Sequence, residues 1–249
     1  MRKLAMAILV AALFAPSMLA QKLKSWDQWS QKDAQKILDD SAWGRTQTDT
    51  DASQMFYSPT SQPPGRGLGT RATSNDSSRT SQGATNQAVN LNYRIRFFTA
   101  KPVRQAFVRL MELSQPNLPK ETLERLNQFA NLHSDQYIIV AVTFDSTDRR
   151  YSGPAEQAFG TATAEILKND TYLERKDGKR LFLTEYVAPG KDGFGARFIF
   201  PRTMDGQPFL SPDSGEVRFY SQFAIGSTGL KLNMRYKVSD MIYDGQLEY

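Results

Sequence analysis

The sequence predicts an α+β domain: a largely antiparallel sheet of about seven strands with about three helices on one face, plus a separate N-terminal amphipathic helix. Three observations predict it. Val89, Leu91, Tyr93, Ile95 and Phe97 alternate with Asn90, Asn92, Arg94 and Arg96, the period of a strand with one dry face. Pro102, Pro119 and Pro154 each precede an apolar stripe at helical spacing. From Thr171 onward the chain reads almost wholly as strands, so strands and helices segregate rather than alternate.

Ahead of that domain, Ser30 and Asp33 form a variant capping box, with Asp where Glu or Gln is usual. Ala34, Ile37 and Leu38 then share one helical stripe, and Gly44 after Trp43 reads as a helix stop. Ser25 with Gln28 suggests an earlier turn carrying Trp26 and Trp29. Residues 21–45 are therefore expected to be a Trp-rich amphipathic helix holding all 3 tryptophans of the protein.

Residues 46–87 differ in composition: 29 of these 42 residues are Ser, Thr, Gln, Gly, Asn or Pro. Such a stretch buries too little apolar surface to offset its ordering entropy. It reads as a flexible linker with a root-mean-square span of about 35–40 Å. Residues 88–249 are then the folded domain, long enough to bury roughly two-thirds of its unfolded surface.

Within the domain, Pro102 opens a helix with Val103, Ala106, Phe107, Leu110 and Met111 on one side. Pro119 opens a second, with Leu123, Leu126, Phe129 and Ala130. The run Tyr137 to Phe144 is continuously apolar and β-rich, as a central strand covered on both faces would be. Pro154 opens a third helix through Ala158, Phe159, Ala162, Ile166 and Leu167, with Gly160 its weak point. Segments 171–175 and 180–187 flank a Lys176-Asp177-Gly178-Lys179 hairpin, and strands at 196–200, 216–223 and 230–238 follow. In the last of these, Leu230, Leu232, Met234, Tyr236 and Val238 alternate with Lys231, Asn233, Arg235 and Lys237.

The first 20 residues predict an export signal. Arg2 and Lys3 precede an apolar run from Leu4 to Phe14, Pro16 and Ser17 break it, and Met18-Leu19-Ala20 offers a cleavage site. The run is short for a membrane span of roughly 20 residues. The expected product is periplasmic or secreted. Removing Arg2 and Lys3 lowers the net charge from +5 to +3, too mild to indicate nucleic acid as a partner.

Composition excludes several chemistries. With 0 cysteines there is no disulfide framework, thiol nucleophile or zinc–thiolate site. His133 is the only histidine, so multi-histidine metal sites are excluded and a Ser-His-Asp triad has one possible base. Asp49-Thr50-Asp51 starts like a calcium loop but has Gln54 and Thr60 where glycine and an acid are required. Gly65-Arg66-Gly67-Leu68-Gly69 lacks the strand and helix of a phosphate cradle. No catalytic residue, metal or cofactor is nominated. Asp-Gly at 177–178, 192–193, 205–206 and 244–245 reads as turns.

Two passages carry a resemblance: Trp26-Asp27-Gln28-Trp29-Ser30 with Ile37-Leu38-Asp39-Asp40-Ser41-Ala42-Trp43, and Phe198-Ile199-Phe200-Pro201-Arg202 with Val238-Ser239-Asp240-Met241-Ile242-Tyr243-Asp244-Gly245-Gln246-Leu247-Glu248. Together they resemble a group of predicted secreted bacterial proteins sharing W-x-x-W-S…I-L-x-x-S-x-W and D-M-x-Y-x-G-x-L-E motifs. The resemblance implies an exported envelope protein and brings no catalytic residue or ligand.

Two candidate surfaces emerge. Trp26, Trp29, Ile37, Leu38 and Trp43 would dock in the groove of an envelope partner or a second copy, or pack back on their own domain. Lys22, Lys24 and Lys32 would also suit a membrane surface, which Asp27, Asp33, Asp39 and Asp40 disfavour. Arg94, Arg96, Lys101 and Arg104 form a row that would meet an anionic ligand, or simply solvate a sheet face. The expected role is a non-catalytic binding or scaffolding module of the envelope. The alternatives are a secreted hydrolase using carboxylates near the sheet edge with His133 as accessory, and a peripheral membrane protein.

Overall fold

A computed structural model describes residues 25–51, 89–146, 149–223 and 229–249. The expected signal peptide at 1–20 and positions 52–87 of the expected linker lie outside the described residues.

A 3-10 turn at Trp26–Gln28 leads into α1 (Gln31–Asp39), β1 (Gly44–Asp51) and β2 (Val89–Phe97). Helices α2 (Lys101–Ser114) and α3 (Lys120–Asn131) follow, then β3 (Tyr137–Ser146), α4 (Arg149–Thr161) and α5 (Ala164–Leu167). The rest is β4 (Thr171–Arg175), β5 (Arg180–Phe182), β6 (Glu185–Val187), β7 (Ala196–Pro201), β10 (Glu216–Phe223) and β11 (Leu230–Lys237). Two ribbons, β8 (Thr203–Met204) with β9 (Gln207–Pro208) and β12 (Ile242–Tyr243) with β13 (Gln246–Leu247), complete it. Their turns place Asp205-Gly206 and Asp244-Gly245 at positive φ, as two-residue hairpin loops demand.

All seven expected strand segments form, but they do not make one sheet. The strands divide into a five-stranded sheet ordered β1-β2-β3-β7-β6 and a four-stranded sheet ordered β11-β10-β4-β5, with every pairing antiparallel. The expected strand 180–187 is where they part. The Leu183 N–H bonds to Thr171 of the second sheet, and the next N–H, of Thr184, bonds to Ile199 of the first. One chain segment thus serves both sheets, a common way of turning the corner of a sandwich.

The N-terminal part corrects the sequence reading twice. Positions 46–51 of the expected linker are strand β1, paired along its whole length with β2. Polar cross-strand pairs support it: Thr48 Oγ1 donates to Asn92 Oδ1 at 2.8 Å and Thr50 Oγ1 to Asn90 Oδ1 at 2.9 Å. The amphipathic helix is also shorter than 21–45 and not separate. The capping box holds, with Asp33 N donating to Ser30 Oγ at 3.2 Å. Helix α1 then packs on α2 and on strands β1 and β2, with Ala34 and Leu38 in the common core. Gly44 permits the close approach, since a Cβ there would sit 2.2 Å from the Leu38 carbonyl oxygen.

Helix α4 begins before Pro154 and holds it inside. The expected continuation to Leu167 breaks at Thr163, whose extended backbone and hydroxyl cap the separate short helix α5.

Three layers result. Helices α1, α2 and α3 lie on the outer face of the first sheet. The inner face meets the second sheet through Phe97 against Tyr236, Phe198 against Phe219 and Phe223, and Phe200 against Phe219. Phe159 of α4 fills between the sheets, stacked on Phe144 and edge-on to Phe223. Gln47 bridges one seam: its side-chain amide donates to the Lys231 carbonyl at 2.8 Å and accepts from the Asn233 N–H at 2.9 Å. It does for two strands of different sheets what a backbone peptide does within one.

Candidate functional site

The tryptophan set is occupied by the protein's own fold. Trp29, Leu38 and Trp43 are 5%, 2% and 7% exposed, and Trp26 and Ile37 pack half-buried against the same core. Trp43 sits edge-on to Tyr243, and its indole N–H donates to the Glu248 carbonyl at 2.8 Å. Arg109 of α2 holds the preceding turn by donating to the Trp29 carbonyl at 2.8 Å. The partner-docking expectation for these five residues is thus corrected: exposing so much apolar surface is unfavourable, and their own domain covers most of it.

The expected anion row is corrected as well, because each cation has an internal partner. Arg96 is buried under α1, donating to the Leu38 carbonyl at 2.9 Å, to Thr143 Oγ1 at 2.9 Å and to Asp39 at 2.8 Å. Burial pulls its guanidinium below the ordinary value, and Asp39 works against that shift. Arg94 pairs with Asp39 and Asp145. Lys101 pairs with Asp244 at 3.3 Å. Arg104, lowered by burial, donates to the carbonyls of Thr99, Phe129 and Leu132, two of which close the end of α3. These are clamps between layers, not a face.

His133 lies at an open cavity of about 630 Å³ lined also by Asp135, Arg202, Ser211 and Tyr249. It pairs with Asp135 at 2.8 Å. The neighbouring Ser211 hydroxyl is engaged with Ser214 at 3.2 Å, and Arg202 is turned onto the Tyr249 ring and carbonyl. Asp135 is the one side-chain carboxylate lining this cavity, whereas the hydrolase reading asks several to converge.

A further charged surface among the described residues is the outer face of the second sheet. Alternation in β10 and β11 turns Val217, Phe219, Leu232 and Tyr236 inward and leaves Arg218, Tyr220, Lys231 and Arg235 outward. The register sets Tyr220 opposite Tyr172, and their rings stack at 5.0 Å. Phe182, 47% exposed, meets the edge of Tyr172. Cations lie over these rings: Arg180 is 4.4 Å from the Tyr172 centroid, Arg218 is 5.6 Å from Tyr220, and Lys231 is 5.3 Å from Tyr220. Glu174 fixes the arginines from between, 2.6 Å from Arg180 and 2.9 Å from Arg218. Partial burial pushes its carboxyl up, but the hydrogen bonds from Arg180 and Arg218 outweigh that and hold it below the usual carboxylate range.

Beside this shelf is a polar cavity of about 190 Å³, lined by Glu174, Arg175, Lys176, Glu216, Arg218 and Arg235. Arg218 Nε is the one buried side-chain nitrogen or oxygen among the described residues with no hydrogen-bond partner. A shielded donor in that condition costs free energy comparable to a lost hydrogen bond. The sequence carried a signal for part of this face, the outward Lys231, Asn233, Arg235 and Lys237 of β11. Bringing Tyr172, Glu174 and Arg180 beside them takes the sheet order. Comparison with known proteins finds no matching family model, no matching curated protein and no matching solved structure.

Proposed function

We propose that this chain is an exported cell-envelope protein that acts as a non-catalytic binding or scaffolding module, and that it binds through the outer face of its second sheet. One observation carries the reading. The first sheet has a helix layer on one side and the second sheet on the other, while the second sheet presents Phe182, Lys231 and Arg235 to solvent. Cations fixed over aromatic rings lose little side-chain freedom on binding, which favours recognition. The export part of the proposal rests on residues 1–20 and on the motif resemblance. A membrane-surface role would need the apolar side of α1, and Ala34 and Leu38 of that side are in the core.

Expression of the full chain with its own N-terminus, followed by mass measurement and sedimentation with isolated envelope material, tests the reading. The expected product starts at Gln21 and sediments with the envelope fraction. Phe182→Ser with Lys231→Glu is expected to release it. A product that keeps residues 1–20 in the cytoplasm, or that sediments with no envelope material, overturns the proposal.

A further inference from the structure

We infer that the free edge of β11, from Asn233 to Lys237, is a strand-addition site for an acidic, extended segment of a partner protein. The inference rests on the proposed binding role of the second sheet and names the class of partner.

The register defines the edge. The Val238 N–H bonds to the Gly215 carbonyl, and Tyr236 and Met234 stand opposite Val217 and Phe219 in the same ladder. Alternation therefore aims the backbone groups of Lys231, Asn233, Arg235 and Lys237 away from β10. Gln47 takes the Lys231 carbonyl and the Asn233 N–H. The Asn233 carbonyl, both backbone groups of Arg235 and the Lys237 N–H have no partner among the described residues, and all three residues are exposed. Such a row is a template for another strand. Gln47 already uses it, its amide filling two of the positions as a peptide would.

The space beside the edge is open. Leu232 and Tyr236 are fully buried on the inner side of β11, yet Met234 between them is only half-buried. Met234 lines a cavity of about 560 Å³ together with Asp39, Asp40, Arg45 and Thr46, in the seam between β1 and β11 beyond the Gln47 bridge. A strand laid antiparallel on β11 would turn alternate side chains into this cavity. An apolar residue there would cover Met234.

The outward row sets the charge. The other side chains of the added strand would stand beside Asn233, Arg235 and Lys237. Glu216 holds Arg235 at 3.2 Å and Asp240 holds Lys237 at 2.9 Å, but both cations stay more than half exposed. Lys231 lies over the Tyr220 ring with no carboxylate partner among the described residues. On the strands behind it, Arg180 and Arg218 share the one carboxylate of Glu174. The flank is thus net positive with these pairs counted. Opposite charges directly across an antiparallel pair stabilise it and like charges destabilise it. A basic strand is therefore rejected, and so is a second β11, which would set two cation rows side by side. An acidic strand is accepted.

The test follows the backbone amides of the full mature chain by NMR during titration with the peptide acetyl-Glu-Val-Glu-Val-Glu-amide. Shifts are expected first at Arg235 and Lys237, and the affinity is expected to fall as salt rises. The basic peptide acetyl-Lys-Val-Lys-Val-Lys-amide is expected to give no shift at equal concentration. The acidic peptide N-methylated at its glutamates keeps the charge, loses the N–H groups that would face β11, and is expected to bind about tenfold more weakly. Lys231→Glu with Lys237→Glu reverses the outward charge and is expected to weaken the acidic peptide by about the same factor. Arg235→Pro removes an edge donor where an edge strand accommodates proline, and is expected to abolish the shifts while the melt stays cooperative. Should that variant misfold, the N-methylated peptide on the unaltered chain decides. Absence of shifts at the β11 edge overturns the inference, as does equal binding of the basic or the N-methylated peptide, or a dimer of the chain through this edge. Because these titrations use purified components, they fail separately from the envelope reading. A chain that stays with envelope material in an excess of the acidic peptide keeps that reading and loses this partner.

Discussion

Trp43 donates its indole N–H to the backbone carbonyl of Glu248, 205 positions away. The same Glu248 receives the Lys101 N–H at the start of α2 on its carboxylate, at 2.9 Å. A tail residue thereby ties the N-terminal helix unit to the helix layer. The two passages that carry the motif resemblance meet at this point, which gives their residue types a packing reason. Trp43→Ala is expected to destabilise the protein by about 3–5 kcal/mol, the range for removing a buried large aromatic. Trp43→Phe keeps most of the packing and strands the carbonyl, and is expected to cost about 1–3 kcal/mol. Urea unfolding of the two variants separates the contributions.

Since all 3 tryptophans lie between positions 26 and 43, their fluorescence reports on the N-terminal unit alone. Trp29 and Trp43 are buried in the common core, so the native emission is expected to be blue and resistant to acrylamide. The unfolding transition followed by tryptophan emission is expected to coincide with that followed by far-ultraviolet circular dichroism, because α1 and the sheets share one core. An earlier fluorescence transition would mean that α1 detaches before the sheets melt.

Legibility in the sequence followed the strength of the periodicity. Helices α2 and α3 and strand β3 have long apolar patterns and were read close to their observed limits. Strand β1 is not legible because Thr46 to Asp51 has no apolar alternation, and its visible support is polar, Thr48 bonding to Asn92 and Thr50 to Asn90 across the pair. The division into two sheets was hidden for the opposite reason. Leu181 and Leu183 are buried on alternation, Thr184 and Glu185 are both exposed, and burial resumes at Tyr186, so the change of sheet leaves only a one-residue slip in the pattern. Arg94 and Arg96 read as the wet side of a strand, and only tertiary docking of α1 shows that side to be covered. The outer face of the second sheet was half legible: the cations of β11 alternate plainly, but their neighbours on β4 and β5 come from sheet order.

Arg96 is the main polar link between α1 and the first sheet. Its three donor positions go to Leu38, Thr143 and Asp39, and its removal leaves a helix-end carbonyl and a carboxylate short of a partner. Arg94 still pairs with Asp39, which keeps the cost toward the lower end for a broken buried pair. Arg96→Ala is expected to destabilise by about 3 kcal/mol. In a double-mutant cycle with Asp39→Asn, a coupling of about 1–2 kcal/mol is expected. A coupling near zero would mean that Arg96 acts through Leu38 and Thr143 alone.

Glu174 sets an acid limit on the outer face. Its folded carboxyl titrates below the usual range, with Arg180 and Arg218 outweighing the opposing burial. A carboxyl depressed on folding contributes stability that is complete above its unfolded value and is lost as pH falls through its folded value. The loss is therefore expected on the acid side of ordinary glutamate titration, and no change from this group is expected near neutrality. Below that point the two arginines lose the group that fixes them, so the shelf loosens as the protein weakens. Carbon-detected NMR titration of the Glu174 carboxyl checks the direction, and Arg180→Gln or Arg218→Gln is expected to move its midpoint upward. A Glu174 midpoint at the ordinary glutamate value would show that the ion pairs do not hold in solution. The Arg218 guanidinium would then sit free of the shelf.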